Sequence, residues 1–126
     1  MSNYHAPGFL KLVEEAKKVV RELTVAQVAE KIARGEKFLF VDIREDDEWR
    51  AGYAKGAIHL GKGIIERDIE TDIPNKDAEI VLYCGGGFRS VLAGEQIQRM
   101  GYTNVYSMDG GIKGWRAGQL PEEKPE

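Results

Sequence analysis

One cysteine stands in the 126-residue chain, Cys84, so no disulfide can form within it. A free thiol survives where the surroundings are reducing, and the expected address is therefore the cytoplasm. Histidine is almost as scarce: His5 and His59 are far apart and have no cysteine partners, so no metal site is expected. No apolar run approaches the roughly 18 residues of a membrane span. The opening residues M-S-N-Y-H-A-P-G-F-L lack the basic flank and apolar core of a secretory leader. A net charge of -3 lacks the positive excess that nucleic acid or an anionic membrane would attract, and neither is expected as a partner. Internal repeats and low-complexity segments are absent too. What is present is a chain of one-domain length, 42% hydrophobic and 31% charged, ordinary for a soluble globular protein with a single core.

The apolar residues fall into two kinds of pattern. Over residues 8–22 they recur at helical spacing, with Phe9, Leu12, Val13, Ala16, Val19, Val20 and Leu23 on one stripe. This predicts an amphipathic helical extension over residues 1–22, packed on the core or, alternatively, against a partner. Thr24 and Gln27 fit a capping box that opens a second helix, and Gly35 sits where that helix stops. The runs F-L-F-V-D-I (38–43) and E-I-V-L-Y-C (79–84) are instead continuous, as in strands covered on both faces. N-V-Y-S-M (104–108) is a third candidate strand, and A-I-H-L near residue 58 a fourth. Helical patterns at 46–51, 63–69 and 90–100 separate them. The order predicts an α/β domain over residues 23–121, with a mostly parallel sheet and helices on both faces. The polar tail, residues 122–126, is expected to fray.

The second apolar run ends in L-Y-C-G-G-G-F-R-S. In open parallel sheets ligands bind beyond the carboxyl ends of strands, and Cys84 falls at such an end with a helix following. Free amides at a helix start carry partial positive charge and attract anions. Gly85, Gly86 and Gly87 have no Cβ to stop successive amides curling round one point. Arg89 is placed to close that cradle, Ser90 to cap the helix or bond the sulfur, and Phe88 to supply an apolar wall. Such surroundings favour a nucleophilic thiolate over the thiol. The bland alternative is a glycine-rich turn that happens to hold a buried cysteine.

Five segments together resemble the rhodanese family of sulfurtransferases in its single-domain form. They are V-D-I-R-E (41–45), E-W-R-A-G-Y-A-K-G-A-I-H-L (48–60), L-Y-C-G-G-G-F-R-S (82–90), G-Y-T-N-V-Y (101–106) and M-D-G-G-I-K-G-W (108–115), within a match from about Leu23 to Leu120. The resemblance implies a rhodanese-like fold, a five-stranded, mostly parallel sheet flanked by helices. It also implies that Cys84 accepts a sulfane sulfur from thiosulfate or a persulfide and passes it to cyanide or a thiol. Substrate would be held by residues 85–90, with no cofactor. The expected partners are a small anionic or thiol donor and acceptor, with a protein acceptor as an alternative.

Four residues separate Cys84 from Arg89, the spacing the resemblance associates with sulfur transfer; related phosphatases use five. Arsenate reduction stays open on length, although no second cysteine is available to resolve an intermediate. A binding module with little turnover is the remaining alternative. Where the family usually reads G-H-I-P-G-A, this chain has Tyr53 and Lys55 in place of histidine and proline. Thiosulfate-preferring members often carry a further basic residue in the loop. Here Arg89 is its only charge, so a less charged or thiol-bound donor is expected. Asp42 and Arg44, at the end of the first core strand, either brace the cysteine loop or pair with each other. Lys62 and Arg67 either lend charge to the pocket mouth or are solvated. Trp49 and Trp115 are expected to pack, and Asp109-Gly110-Gly111 to launch a last short helix.

Overall fold

The computed structural model describes residues 5–126. Five strands form one parallel sheet in the order β1 (Arg21–Thr24), β6 (Val105–Asp109), β5 (Ile80–Tyr83), β2 (Leu39–Asp42), β4 (Ile58–His59). All of β5 is buried, which explains why I-V-L-Y is apolar without alternation: helices cover both faces. On one face α4 (Ile65–Asp72) and α5 (Phe88–Arg99) lay Ile65, Ile69 and Ile97 on Ile43, Leu82 and Val105. On the other, α2 (Val25–Ala33) and α6 (Gly111–Ala117) lay Val28, Ile112 and Trp115 on Phe40, Val81 and Met108. Each such side chain, fully buried, contributes roughly 1.5–3 kcal/mol. The capping box is present in α2: Thr24 Oγ1 accepts from the Gln27 amide at 3.0 Å, and the Thr24 amide donates back to Gln27 Oε1 at 2.8 Å.

The connections part at the centre of the sheet. From β2 the chain runs through α3 (Asp46–Arg50) and β3 (Tyr53–Ala54) to β4 on one side, whereas from β5 it crosses through α5 to β6 on the other. The loops leaving β2 and β5 therefore diverge and open a crevice at their carboxyl ends, the usual ligand position in such sheets.

Two ends of the chain differ from expectation. The first helix, α1 (Pro7–Lys17), stops short of residue 22, and the chain becomes edge strand β1, with Arg21–Thr24 opposite Tyr106–Asp109. R-E-L-T has no strand pattern of its own, so its conformation comes from the β6 backbone beside it. Because the helix is shorter, its stripe is narrower. Val13 and Ala16 pack on Val91 of α5, while Leu12 and Val19 stay 56% and 55% exposed. The tail, in turn, is held beyond Pro121. Glu122–Glu123 (β7) pairs antiparallel with β3, and the Trp115 indole donates to the Pro121 carbonyl at 2.7 Å.

Candidate active site

Cys84 follows β5 directly, in the crevice, and is 1% exposed at the floor of a pocket of about 390 Å³. The loop after it is shaped from across the sheet. At the start of α6, the Ile112 amide donates to the Cys84 carbonyl at 2.9 Å and the Lys113 amide to the Gly85 carbonyl at 3.1 Å; the Gly110 amide donates to the Gly86 carbonyl at 3.2 Å. A trans peptide points its N–H opposite its C=O, so the amides of Gly85, Gly86 and Gly87 face away from α6. That of Gly87 reaches Cys84 Sγ at 3.1 Å.

Of the three glycines, Gly87 alone has a left-handed backbone, with φ of 112°, and it is the N-cap of α5. A second required glycine lies outside the loop. Gly111 has φ of 53°, and a Cβ there would stand 2.6 Å from the Gly85 carbonyl oxygen and nearer still to that of Cys84. The D-G-G turn thus does more than launch a helix; it allows α6 to touch the cysteine loop.

Ser90 falls inside α5 and does not cap it. Its Oγ lies 3.5 Å from Cys84 Sγ and 2.7 Å from Ser107 Oγ, with both serines fully buried. A buried hydroxyl pair at the sulfur can direct an O–H at it. Ser107, on β6, carried no sequence signal, because an isolated serine in a strand belongs to no pattern.

Arg89 lines the pocket but is not free. Its Nη1 and Nη2 donate to Glu48 Oε1 and Oε2 at 2.9 and 3.1 Å, a bidentate pair. Arg89 is the main cause that holds the Glu48 carboxyl down to about 2, against an opposing burial effect and with help from the Glu45 amide. In return Glu48, more than the nearby Cys84, raises the affinity of Arg89 for its proton. Glu48 comes from α3, across the crevice, and sequence reasoning passed over it because it reads as one acid among several in E-D-D-E. Among the described residues, the other cation that lines the pocket is Lys113, from α6. Lys62 and Arg67 do not line it; Arg67 is paired with its neighbour Asp68.

Asp42 and Arg44 pair with each other. Arg44 Nε and Nη2 donate to Asp42 at 3.0 and 2.8 Å, both residues are buried, and Nη2 also holds the Gly52 carbonyl at 2.7 Å. They therefore fix the turn after α3, the helix that carries Glu48, and neither side chain hydrogen-bonds to residues 84–90. His59 Nε2 lies 2.8 Å from the Arg44 carbonyl, and its ring stacks on Trp49. The substituted Tyr53 also stacks on Trp49, with centroids 3.6 Å apart. Among the described residues, no three His, Cys, Asp or Glu side chains gather as metal ligands would, and no helix is long and apolar enough to cross a membrane.

Fold and loop together define a class: open α/β proteins that present a lone thiol beyond the carboxyl end of a central strand. Residues 24–118 match the family model of the rhodanese-like domain, and the chain belongs to that family. It is 31% identical over 103 residues to the putative sulfurtransferase YtwF of Bacillus subtilis, spanning 82% of this chain and 97% of that one. It is 33% identical over 108 residues to a sulfurtransferase of Allochromatium vinosum, spanning 86% and 99%. Among solved structures, a Rhodopseudomonas palustris protein of unknown function, described as a possible tyrosine phosphatase, superposes with a TM-score of 0.85 at 30% identity. The superposition covers 98% of this chain and 99% of that one, so it takes in α1, which lies before the family match. The family is thus of the sulfurtransferase type.

Proposed function

We propose that the protein transfers sulfane sulfur through a persulfide on Cys84. The observation that carries this reading is the Gly87 amide 3.1 Å from a sulfur at the floor of an open pocket. A peptide N–H at that distance stabilises negative charge on sulfur, whether on the thiolate or on the persulfide that replaces it. In the first step the Cys84 thiolate attacks the outer sulfur of the donor. The Sγ–S bond forms as the donor's S–S bond breaks, and the electron pair leaves with the donor's remaining sulfur, as sulfite or as a thiolate. In the second, a thiol or cyanide attacks the outer sulfur of the persulfide and Sγ departs as thiolate. Both steps are displacements at sulfur and need no external oxidant or reductant.

Pocket charge bears on the donor. Glu48 offsets the charge of Arg89, and Lys113 makes no ion pair among the described residues, while Phe88 supplies apolar surface. A thiol-bound persulfide fits this balance better than the thiosulfate dianion. The same balance argues against a phosphate monoester, so the description of the Rhodopseudomonas protein is not carried over. Mass spectrometry after incubation with glutathione persulfide, and separately with thiosulfate, tests the reading. The peptide that contains Cys84 should gain one sulfur atom, lose it on addition of cyanide or thiol, and gain none in Cys84→Ser. Loading that survives in the serine variant, or no loading with either donor, refutes the mechanism.

A further inference from the structure

The pocket has a wall that the family match does not contain. The match begins at residue 24, yet His5 and Phe9 line the pocket beside Phe88. Their rings form a three-way cluster: His5 to Phe88 at 5.1 Å, His5 to Phe9 at 5.4 Å and Phe9 to Phe88 at 6.1 Å between centroids, all tilted. The placement is built in. Pro7 starts α1 with a preset φ. Val13 and Ala16 anchor the helix on Val91 of α5, and Lys17 Nζ sits 5.3 Å from the Phe88 ring centroid. The first turn of α1 is thereby held over the first turn of α5, which begins at Phe88.

We infer that His5 and Phe9 determine donor specificity: with Phe88 they seat the carbon body of an organic hydropersulfide whose outer sulfur reaches Cys84. The inference rests on the sulfur-transfer reading and adds to it the surface that distinguishes one donor from another. Size points the same way. A five-atom inorganic anion occupies on the order of 100 Å³, a few waters' worth, whereas the pocket holds about 390 Å³. That volume falls in the range of pockets for organic ligands. Polarity is divided in the manner such a molecule requires. The aromatic rings supply apolar surface, and Lys113 supplies a cation for a carboxylate on the donor. Phe9 is half-buried and His5 exposed without a donor, so ring surface remains for an occupant to cover. Sulfur transfer itself proceeds as above: the Sγ–S bond forms, the donor's S–S bond breaks, and the organic thiolate leaves along the aromatic wall.

The test is steady-state kinetics of Phe9→Ala and His5→Ala with two donors, glutathione hydropersulfide and thiosulfate. Loss of apolar contact with the carbon body raises the KM for the hydropersulfide roughly tenfold in Phe9→Ala. KM for thiosulfate should stay within about twofold, and Phe9→Leu should recover most of the loss. His5 precedes α1 and is exposed, so its replacement cannot undo the core. It keeps the test valid if Phe9→Ala folds poorly. Equal changes for both donors, or no change for either, overturn the inference and leave sulfur transfer standing. If the unaltered protein loads no sulfur on Cys84 from either donor, the transfer reading fails and the specificity argument fails with it.

Discussion

Replacing Gly111 by alanine should cost far more than its small size suggests. The new Cβ would lie 2.6 Å from the Gly85 carbonyl oxygen, closer than any real Cβ contact, and the partner is backbone that cannot rotate aside. A left-handed residue with a side chain costs about 1–2 kcal/mol in itself. Relieving the clash then means lifting α6 off the loop, which breaks the bonds from Ile112 to Cys84 and from Lys113 to Gly85. Each carbonyl left unpaired costs about 1–3 kcal/mol if it stays buried. Partial relaxation makes these contributions less than additive, and the expected loss is roughly 3–5 kcal/mol. With a urea m-value of about 1–3 kcal/mol/M, the midpoint should fall by about 2 M. The alkylation rate of Cys84 by iodoacetamide should change as well, since the amide at its sulfur moves with the loop. Gly86→Ala is the control, because a Cβ there meets nothing within 4 Å. It should stay within about 1 kcal/mol of the unaltered protein. If Gly111→Ala unfolds at nearly the original urea concentration, or Gly86→Ala is equally damaging, the steric reasoning is wrong.

Asp42→Asn should destabilise by about 3–5 kcal/mol, because it leaves the Arg44 side chain, 4% exposed, without its counter-charge; a loss below about 1 kcal/mol in denaturant would refute that. Glu48→Gln tests the clamp on Arg89 through pH. Glu48 ionises at about 2 in the folded chain, below its ordinary 4.5. Its contribution is therefore complete above about pH 4.5 and is lost as pH falls towards 2. Both side chains are 34% exposed, so solvent screening reduces the contribution to roughly 1–2 kcal/mol. The difference between the two proteins should be full at pH 7 and shrink below pH 4, and a gap that stays constant down to pH 2 would refute the assignment.

The central strands and the cysteine loop were legible because their signals are local. F-L-F-V-D-I and E-I-V-L-Y-C are continuous apolar runs, and C-G-G-G-F-R sets out a turn in consecutive residues. What escaped reading depends on contacts between distant segments. β1 is a strand because β6 lies beside it, and β7 because β3 does. Glu48, Ser107 and Lys113 each reach the cysteine loop from a different element, so no spacing within one segment could have assembled them. Phe9 carried a strong signal that was read for one purpose only. Its place on the helical stripe suggested packing, and packing does position it, but beside the thiol pocket rather than wholly within a core.

The grip of α6 on the carbonyls of residues 84–86 has a consequence for how the protein tolerates change. A surface made of main-chain groups carries no side chain to lose by substitution, and its peptide nitrogens neither gain nor release protons as acidity varies. Its shape depends on the spacing between two turns and on the left-handed backbone at Gly87, and little on what stands at Gly86. Control of the sulfur's surroundings is therefore remote in sequence. A small rigid displacement of α6 would re-aim three amides at once, whereas a replacement at Gly86, where a Cβ meets nothing within 4 Å, would re-aim none unless it also moved that helix.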